Sequence, residues 1–219
     1  MMSSNTQTAR RSAMNVRTMA QIGMLGAVAM VLMFFEIPLW FAPPFYKIDL
    51  SELPVLIGCF AMGPVAGVLI ELVKILLYVV VHGTTTAGVG DIANFLIGCS
   101  FIVPAGLIYR RMTTKKGALI GMAVGTAVMT VLGCVLNAYV LLPFYAAAFG
   151  MPMDALVQMG TAVNAGIQDV FGFVMLAVAP FNILKGIFVS GLTLALYKNI
   201  RPILRRSWRS DKEKKDADD

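Results

Sequence analysis

The sequence has a single histidine, His82, and lacks the short motifs on which most catalytic sites depend. It contains no GxSxG, no HExxH and no paired acidic motif on a helix, so the sequence does not favour a membrane hydrolase. It also has no GxxxxGK[S/T] phosphate loop, which excludes that mode of ATP binding. We therefore expect no catalytic residues and no enzyme activity. We find no internal repeat typical of secondary transporters, so uphill transport would depend on separate ATPase subunits.

Cysteine is scarce as well, and its spacing excludes a metal centre. Cys59, Cys99 and Cys134 each lie in an apolar segment, with no CxxC spacing and no neighbouring histidine. Ordinary packing is the expected role of these thiols. His82 is followed by Gly83 at the predicted end of a helix, where a solvent-facing position is favoured over a ligand or base. The sequence therefore predicts no bound metal.

Charge is low and apolar residues dominate. Only 14% of the residues are charged, 58% are hydrophobic and the mean hydropathy is +0.77, values typical of an integral membrane protein. At about 20 residues per spanning helix, 219 residues accommodate about six helices. We predict an all-α integral membrane protein with six transmembrane helices. The apolar segments are 19–35, 53–62, 65–81, 92–109, 118–142 and 181–197, with a weaker stretch at 170–179.

Basic residues predict the orientation. They concentrate at Arg10, Arg11 and Arg17, at 110–116 and at 198–215, whereas the opposite segments carry mostly acids. The positive-inside rule places both termini in the cytoplasm. We expect a basic cytoplasmic segment at 1–16, a membrane domain at 17–200 and a charged cytoplasmic tail at 201–219, in a multi-pass protein of a bacterial-type cell membrane. Basic clusters that flank the membrane favour lipid over nucleic acid as their partner.

Two polar side chains near the carboxyl end predict a ligand pocket. Asn182 and Lys185 are three residues apart and so share one face of a helix. A lysine at membrane depth costs roughly 2.5–3.5 kcal/mol on insertion scales, so it needs a partner, a wet cavity or a ligand. The alternative is that Lys185 extends to the membrane surface. Asn137 lies within an apolar run, where an unpaired carboxamide is costly. Glu71 and Lys74 are predicted to pair structurally.

The outer segments suggest a planar ligand. Segment 36–49 is too apolar for a solvated loop and too rich in proline for a helix, so we expect it to re-enter over the outer mouth. Its aromatic residues are either interfacial or a stacking lid; they are Trp40, Phe41, Phe45 and Tyr46. Segment 83–94 has three threonines and leads into a helix. Asp91 is expected to cap the amino terminus of this helix, while the role of Asn94 stays open.

The order of these features resembles the substrate-binding (S) components of energy-coupling-factor (ECF) vitamin transporters, in particular those specific for riboflavin. The motifs are KIDLSELP at 47–54, GPVAG at 63–67, GTTTAGVG at 83–90, ANFLIG at 93–98 and PFNILKG at 180–186. The resemblance covers about residues 17–200, and the segment 144–179 is long for the family. It implies capture of riboflavin from outside, with no cofactor, and import with a transmembrane T component and two ATPases.

The resemblance also implies site residues. Asn137, Asn182 and Lys185 would bind the ligand, and the remaining substrate-binding candidates are Asn94, Phe45, Tyr46, Asp49 and Thr85. The family has an Ala-x-x-x-Ala motif on its first helix for T-component docking, and Gly23 and Ala27 are the nearest match here. Alternatives are an S component for thiamine, biotin or folate, or a polytopic membrane enzyme or scaffold.

Overall fold

The computed structural model describes residues 16–43, 46–84 and 88–197, and every structural statement below refers to these residues. Seven helices and one short strand pair make up the fold. In chain order they are α1 (Val16–Met33), β1 (Ile37–Pro38), β2 (Lys47–Ile48), α2 (Glu52–Met62), α3 (Pro64–His82), α4 (Val89–Arg111), α5 (Lys115–Phe149), α6 (Met153–Thr161) and α7 (Val170–Tyr197).

Five of the helices are long and apolar enough to cross a membrane, namely α1, α3, α4, α5 and α7. Fewer than half of the residues in the apolar window of each are buried, so these helices expose large apolar surfaces where lipid would contact them. The prediction of a helical, multi-pass membrane protein is confirmed. The remaining one of the six predicted segments, 53–62, corresponds to α2, which has 11 residues and is short for a spanning helix.

Helices α5 and α7 are longer than their apolar segments indicated, for the same reason in each. Proline ordinarily ends a regular helix, and the predicted boundaries fell beside Pro143 and Pro180. In the structure a π-helical turn lies just before each proline, at Asn137–Leu141 and at Val174–Val178. These turns change the hydrogen-bond spacing to five residues, so the helix continues through the proline. Segments 170–179 and 181–197 thus form one helix.

The first outer connection forms a strand pair. Strands β1 and β2 are antiparallel, with Ile37 opposite Ile48 and Pro38 opposite Lys47. Beside them, Glu36 and Lys47 form an ion pair. Helix α2 follows and turns directly into α3 at Gly63, whose φ of +95° is readily adopted by glycine. Pro64 begins α3 directly after this glycine, at a position where proline is tolerated in a helix.

Two apolar clusters hold these elements together. One packs α1 to α5 with the end of α7, around residues such as Phe60, Ile70, Phe101 and Met122. The other joins the strand pair to α5, α6 and α7, around Tyr46 and Phe173. Helix α6, which the sequence analysis did not predict, belongs to this second cluster. Several residues of this second cluster, among them Tyr46, Tyr145 and Phe181, line the cavity described next.

Candidate functional site: a cavity beneath the strand pair

A cavity of about 500 Å³ lies beneath the strand pair, between α3, α4, α5 and α7. This volume is within the usual range for small-molecule sites, roughly 300–1,000 Å³. Aromatic side chains form much of its wall: Tyr46, Tyr78, Tyr145, Phe149 and Phe181. Tyr145 and Phe149 stack with their ring planes 11° apart, and Tyr46 lies 5.1 Å from Phe181 between ring centroids. Such walls suit a flat aromatic ligand.

Tyr46 and Asn137 form the polar contact between the outer segment and α5. The Tyr46 hydroxyl donates a 2.5 Å hydrogen bond to Asn137 Oδ1. Burial, together with the nearby Tyr145 and Cys134, raises the pKa of the Tyr46 phenol well above its usual value, so the hydroxyl keeps the proton that it donates. The Asn137 amide in turn donates to Gly133 O at 2.8 Å. The carboxamide predicted to be costly is therefore satisfied on both sides.

Asn182 lies close to the same glycine. It is 1% exposed and does not line the cavity; its amide donates to Val178 O at 2.9 Å. A Cβ at Gly133 would stand 2.8 Å from Asn182 Nδ2, so the absence of a side chain at Gly133 lets α5 and α7 approach. Among the described residues, Asn182 Oδ1 has no hydrogen-bond partner.

Lys185 lines the cavity and pairs with Glu52, an acid that was not among the predicted site residues. Its ammonium nitrogen lies 3.4 Å from Glu52 Oε1, at the beginning of α2. The predicted pair of Glu71 and Lys74 is also present, at 2.6 Å, and Lys74 reaches the same Glu52 oxygen at 3.2 Å. The buried charges of three helices therefore meet at the cavity floor.

The mouth of the cavity carries further charges. Glu36 pairs with Lys47, and the Tyr78 hydroxyl donates to Glu36 Oε1 at 3.4 Å. His82, exposed at the end of α3, stacks on Tyr78 at a centroid distance of 4.8 Å. The strand pair is thus connected to α3 through side chains at the rim.

The structure brings together most of the predicted ligand residues that it describes. Five of the eight line the cavity: Tyr46, Asp49, Asn94, Asn137 and Lys185. Asn182 lies behind the wall, and Phe45 and Thr85 lie outside the described residues. The expected helix cap at Asp91 is wrong, because α4 begins at Val89 with Gly88 before it. Asp91 instead lines the cavity from the first turn of α4.

Several lining residues were missed from the sequence. Tyr78 lies in an apolar helix, and Tyr145 and Phe149 lie beyond the proline that was expected to end α5. The four-residue spacing of Tyr145 and Phe149 would have placed both on one helical face, had the helix been extended. Gly23 and Ala27 are exposed on α1 and do not line the cavity.

Comparison with known proteins gives a consistent result. Residues 17–197 match the family described as ECF transporter, substrate-specific component. The riboflavin transporter RibU of Staphylococcus aureus (strain TCH60) is 37% identical over 186 residues, 84% of this chain and 90% of that protein. The riboflavin transporter FmnP of Bacillus subtilis (strain 168) is 32% identical over 190 residues, 86% and 94% respectively. A solved S component of a bacterial ECF transporter matches with a TM-score of 0.67 and 35% identity, covering 86% of this chain and 97% of that one.

Proposed function

We propose, because the chain belongs to the family of substrate-specific components of ECF transporters, that it is the riboflavin-binding subunit of such an importer. The family assignment confirms the resemblance found in the sequence. It also confirms the prediction that the chain is not an enzyme, since the relatives are transporters. Riboflavin is the transported ligand in this proposal and no cofactor takes part.

The observation that carries the proposal is the combination of aromatic walls with carboxamides and an ammonium group at one cavity. Riboflavin has a flat ring system whose polar edge carries an N–H donor between carbonyl acceptors. A carboxamide can match such an edge both as donor and as acceptor, whereas Lys185 can only donate. The ribityl chain brings hydroxyl groups that need several polar partners. Aromatic side chains such as Tyr46 and Tyr145 offer faces to the ring system.

The proposed contacts follow from the geometry. Asn137, Lys185, Tyr46, Asp49 and Asn94 line the cavity and are the proposed ligand residues. Asn182 is proposed from its sequence motif, and its buried Oδ1, which has no partner among the described residues, supports this choice. Phe45 and Thr85 are proposed from the sequence motifs alone.

In the cell membrane, we propose that six segments with a re-entrant strand pair hold this cavity towards the outside. Both termini would be cytoplasmic, with a basic segment at 1–16, the membrane domain at 17–200 and the charged tail at 201–219. The basic loop of Arg110, Arg111, Lys115 and Lys116 supports this orientation, because it lies at the end of α4 and α5 remote from the cavity.

Membership of the family implies import with a T component and two ATPases, and the lack of a phosphate loop in this sequence agrees with ATP hydrolysis by separate subunits. Gly23 and Ala27 are the proposed docking residues. A Cβ at Gly23 would meet no other atom within 4 Å, which leaves space for the close approach of a second helix.

The test of the function is ligand binding to the purified protein. Protein purified without added vitamin should carry the yellow absorption of a flavin, and ligand-free protein should quench flavin fluorescence in a saturable titration. Thiamine, biotin and folate should fail to compete. Tight binding of one of these vitamins without riboflavin binding would assign the chain to another specificity, and binding of none would contradict the proposal.

A further inference from the structure

A cluster of four buried charges lies under the cavity floor. It comprises Glu52 from α2, Glu71 and Lys74 from α3, and Lys185 from α7; Lys185 is the most exposed of the four, at 6%. Glu52 Oε1 stands between the two ammonium groups, 3.2 Å from Lys74 Nζ and 3.4 Å from Lys185 Nζ. We call this set the floor cluster. It connects the strand pair, which leads directly into α2, to the helix that carries Lys185.

The two lysines of the floor cluster differ in how many polar contacts their ammonium groups make. Lys74 has three polar contacts: an ion pair with Glu71 Oε1 at 2.6 Å, and hydrogen bonds that its ammonium group donates to Glu52 Oε1 and Ser51 Oγ, each at 3.2 Å. Lys185 has one ion-pair contact among the described residues, and it lines the cavity. Lys74 is therefore structural, while Lys185 retains donors for a ligand.

A glycine of α4 makes room for the carboxylates. A Cβ at Gly98 would stand 2.6 Å from Glu71 Oε1 and 3.0 Å from Glu52 Oε1. Any side chain there would move at least one carboxylate away from its lysine. Buried ion pairs are often no more stabilising than apolar residues of similar volume, so stability alone does not account for such an arrangement.

We propose that Glu52 is a positioning residue, which holds the Lys185 ammonium against the cavity wall with part of its donor capacity free. Lys74 and Glu71 hold Glu52 in turn, and Gly98 leaves the space for them. This inference rests on the proposed function, and it adds a residue outside the cavity wall to those that determine riboflavin affinity. Because Glu52 acts through Lys185, its removal should matter only while Lys185 is present.

A double-mutant cycle on the full chain tests this inference. Riboflavin affinity is measured by fluorescence quenching for the unmodified protein, Glu52→Gln, Lys185→Met and the double variant, each after size-exclusion chromatography of the folded fraction. Glu52→Gln should weaken binding by roughly three- to thirtyfold, and the loss should disappear in the Lys185→Met background. Glu52→Asp, which keeps the negative charge, should recover part of the affinity.

Gly98→Ala provides a second route, used in the same cycle if Glu52→Gln does not fold. Its matched control is Gly191→Ala in α7, where a Cβ would meet no atom within 4 Å and affinity should stay unchanged. Losses that multiply in the double variant would overturn the inference, as would wild-type affinity in Lys185→Met. Either result leaves riboflavin binding by the unmodified protein intact, whereas absence of that binding would contradict the proposed function itself.

Discussion

The Tyr46 hydroxyl donates a 2.5 Å hydrogen bond to Asn137 Oδ1 across 91 residues of sequence. This contact joins the segment over the cavity to the π-helical turn of α5. Both side chains line the cavity, so the same contact that fixes the outer segment also orients a proposed ligand carboxamide. A substitution that removes this bond should therefore affect both the outer segment and the proposed ligand site.

Tyr46→Phe should weaken riboflavin binding and lower stability. The ring can still pack on Phe181, but Asn137 Oδ1 loses its buried donor, at a cost of about 1–3 kcal/mol. Thermal unfolding in detergent and fluorescence titration measure the two effects. The control is Tyr139→Phe, because Tyr139 is 79% exposed and does not line the cavity. Equal behaviour of the two variants would contradict the role of the Tyr46 hydroxyl.

Asn182→Ala and Lys185→Ala should each weaken riboflavin binding while leaving membrane insertion intact. Each lost polar contact should cost on the order of 1–3 kcal/mol, or about tenfold to more than a hundredfold in affinity. Matched controls are Asn164→Ala and Lys116→Ala, whose side chains lie away from the cavity. Wild-type affinity in both site variants would place the ligand elsewhere.

Riboflavin 5′-phosphate should bind more weakly than riboflavin. Three carboxylates line the cavity, from Glu36, Asp49 and Asp91, against two ammonium groups. Asp91→Asn should narrow the gap between the two ligands by about 1 kcal/mol, or roughly fivefold, because one repulsive charge is removed. Competition titrations measure the ratio, with Asp154→Asn on α6 as the control. An unchanged ratio in Asp91→Asn would show that this acid does not face the phosphate.

Substituting both Gly23 and Ala27 by tryptophan should separate binding from transport. Riboflavin affinity of the isolated protein should stay nearly unchanged because neither residue lines the cavity, whereas uptake should fall because the T component can no longer approach closely. ATP-dependent uptake into vesicles that contain the complete transporter measures this. The control replaces Gln21 and Val28 by tryptophan; both are exposed, and neither is three or four residues from Gly23 or Ala27, so they lie on a different face of α1. Undiminished uptake by the first variant would exclude this docking surface.

Cysteine labelling should establish the orientation. In a background with Cys59, Cys99 and Cys134 replaced by alanine, a cysteine at Thr113 should react only from the cytoplasmic side. One at Met151, exposed after the end of α5, should react only from outside. These two positions flank α5, so the basic loop is expected on one side and the cavity mouth on the other. Outward labelling at Thr113 would contradict the proposed topology.

Local sequence patterns predicted the membrane class, the approximate helices and the Asn182–Lys185 motif. These features depend on hydropathy and on spacing along one helix, which neighbouring residues determine. The lengths of α5 and α7 were underestimated because Pro143 and Pro180 normally stop a helix. The π-helical turns that accommodate these prolines depend on backbone hydrogen bonds of the folded helix, and the presence of a proline does not by itself predict such a turn.

The sequence by itself determined that a lysine and several carboxamides would be buried in an apolar protein, because their burial follows from the apolar residues around them. Only the tertiary structure decided which of these groups are satisfied. In the sequence Lys74 has Glu71 three residues away, and Lys185 has no acid within four residues. In the structure Lys74 contacts Glu71, Glu52 and Ser51, whereas Lys185 has one ion-pair contact, with Glu52, and a cavity beside it. Glu52, which contacts both lysines, is 133 residues from Lys185 in the sequence. Pairing over such a distance depends on how the helices pack, and local sequence does not encode that packing.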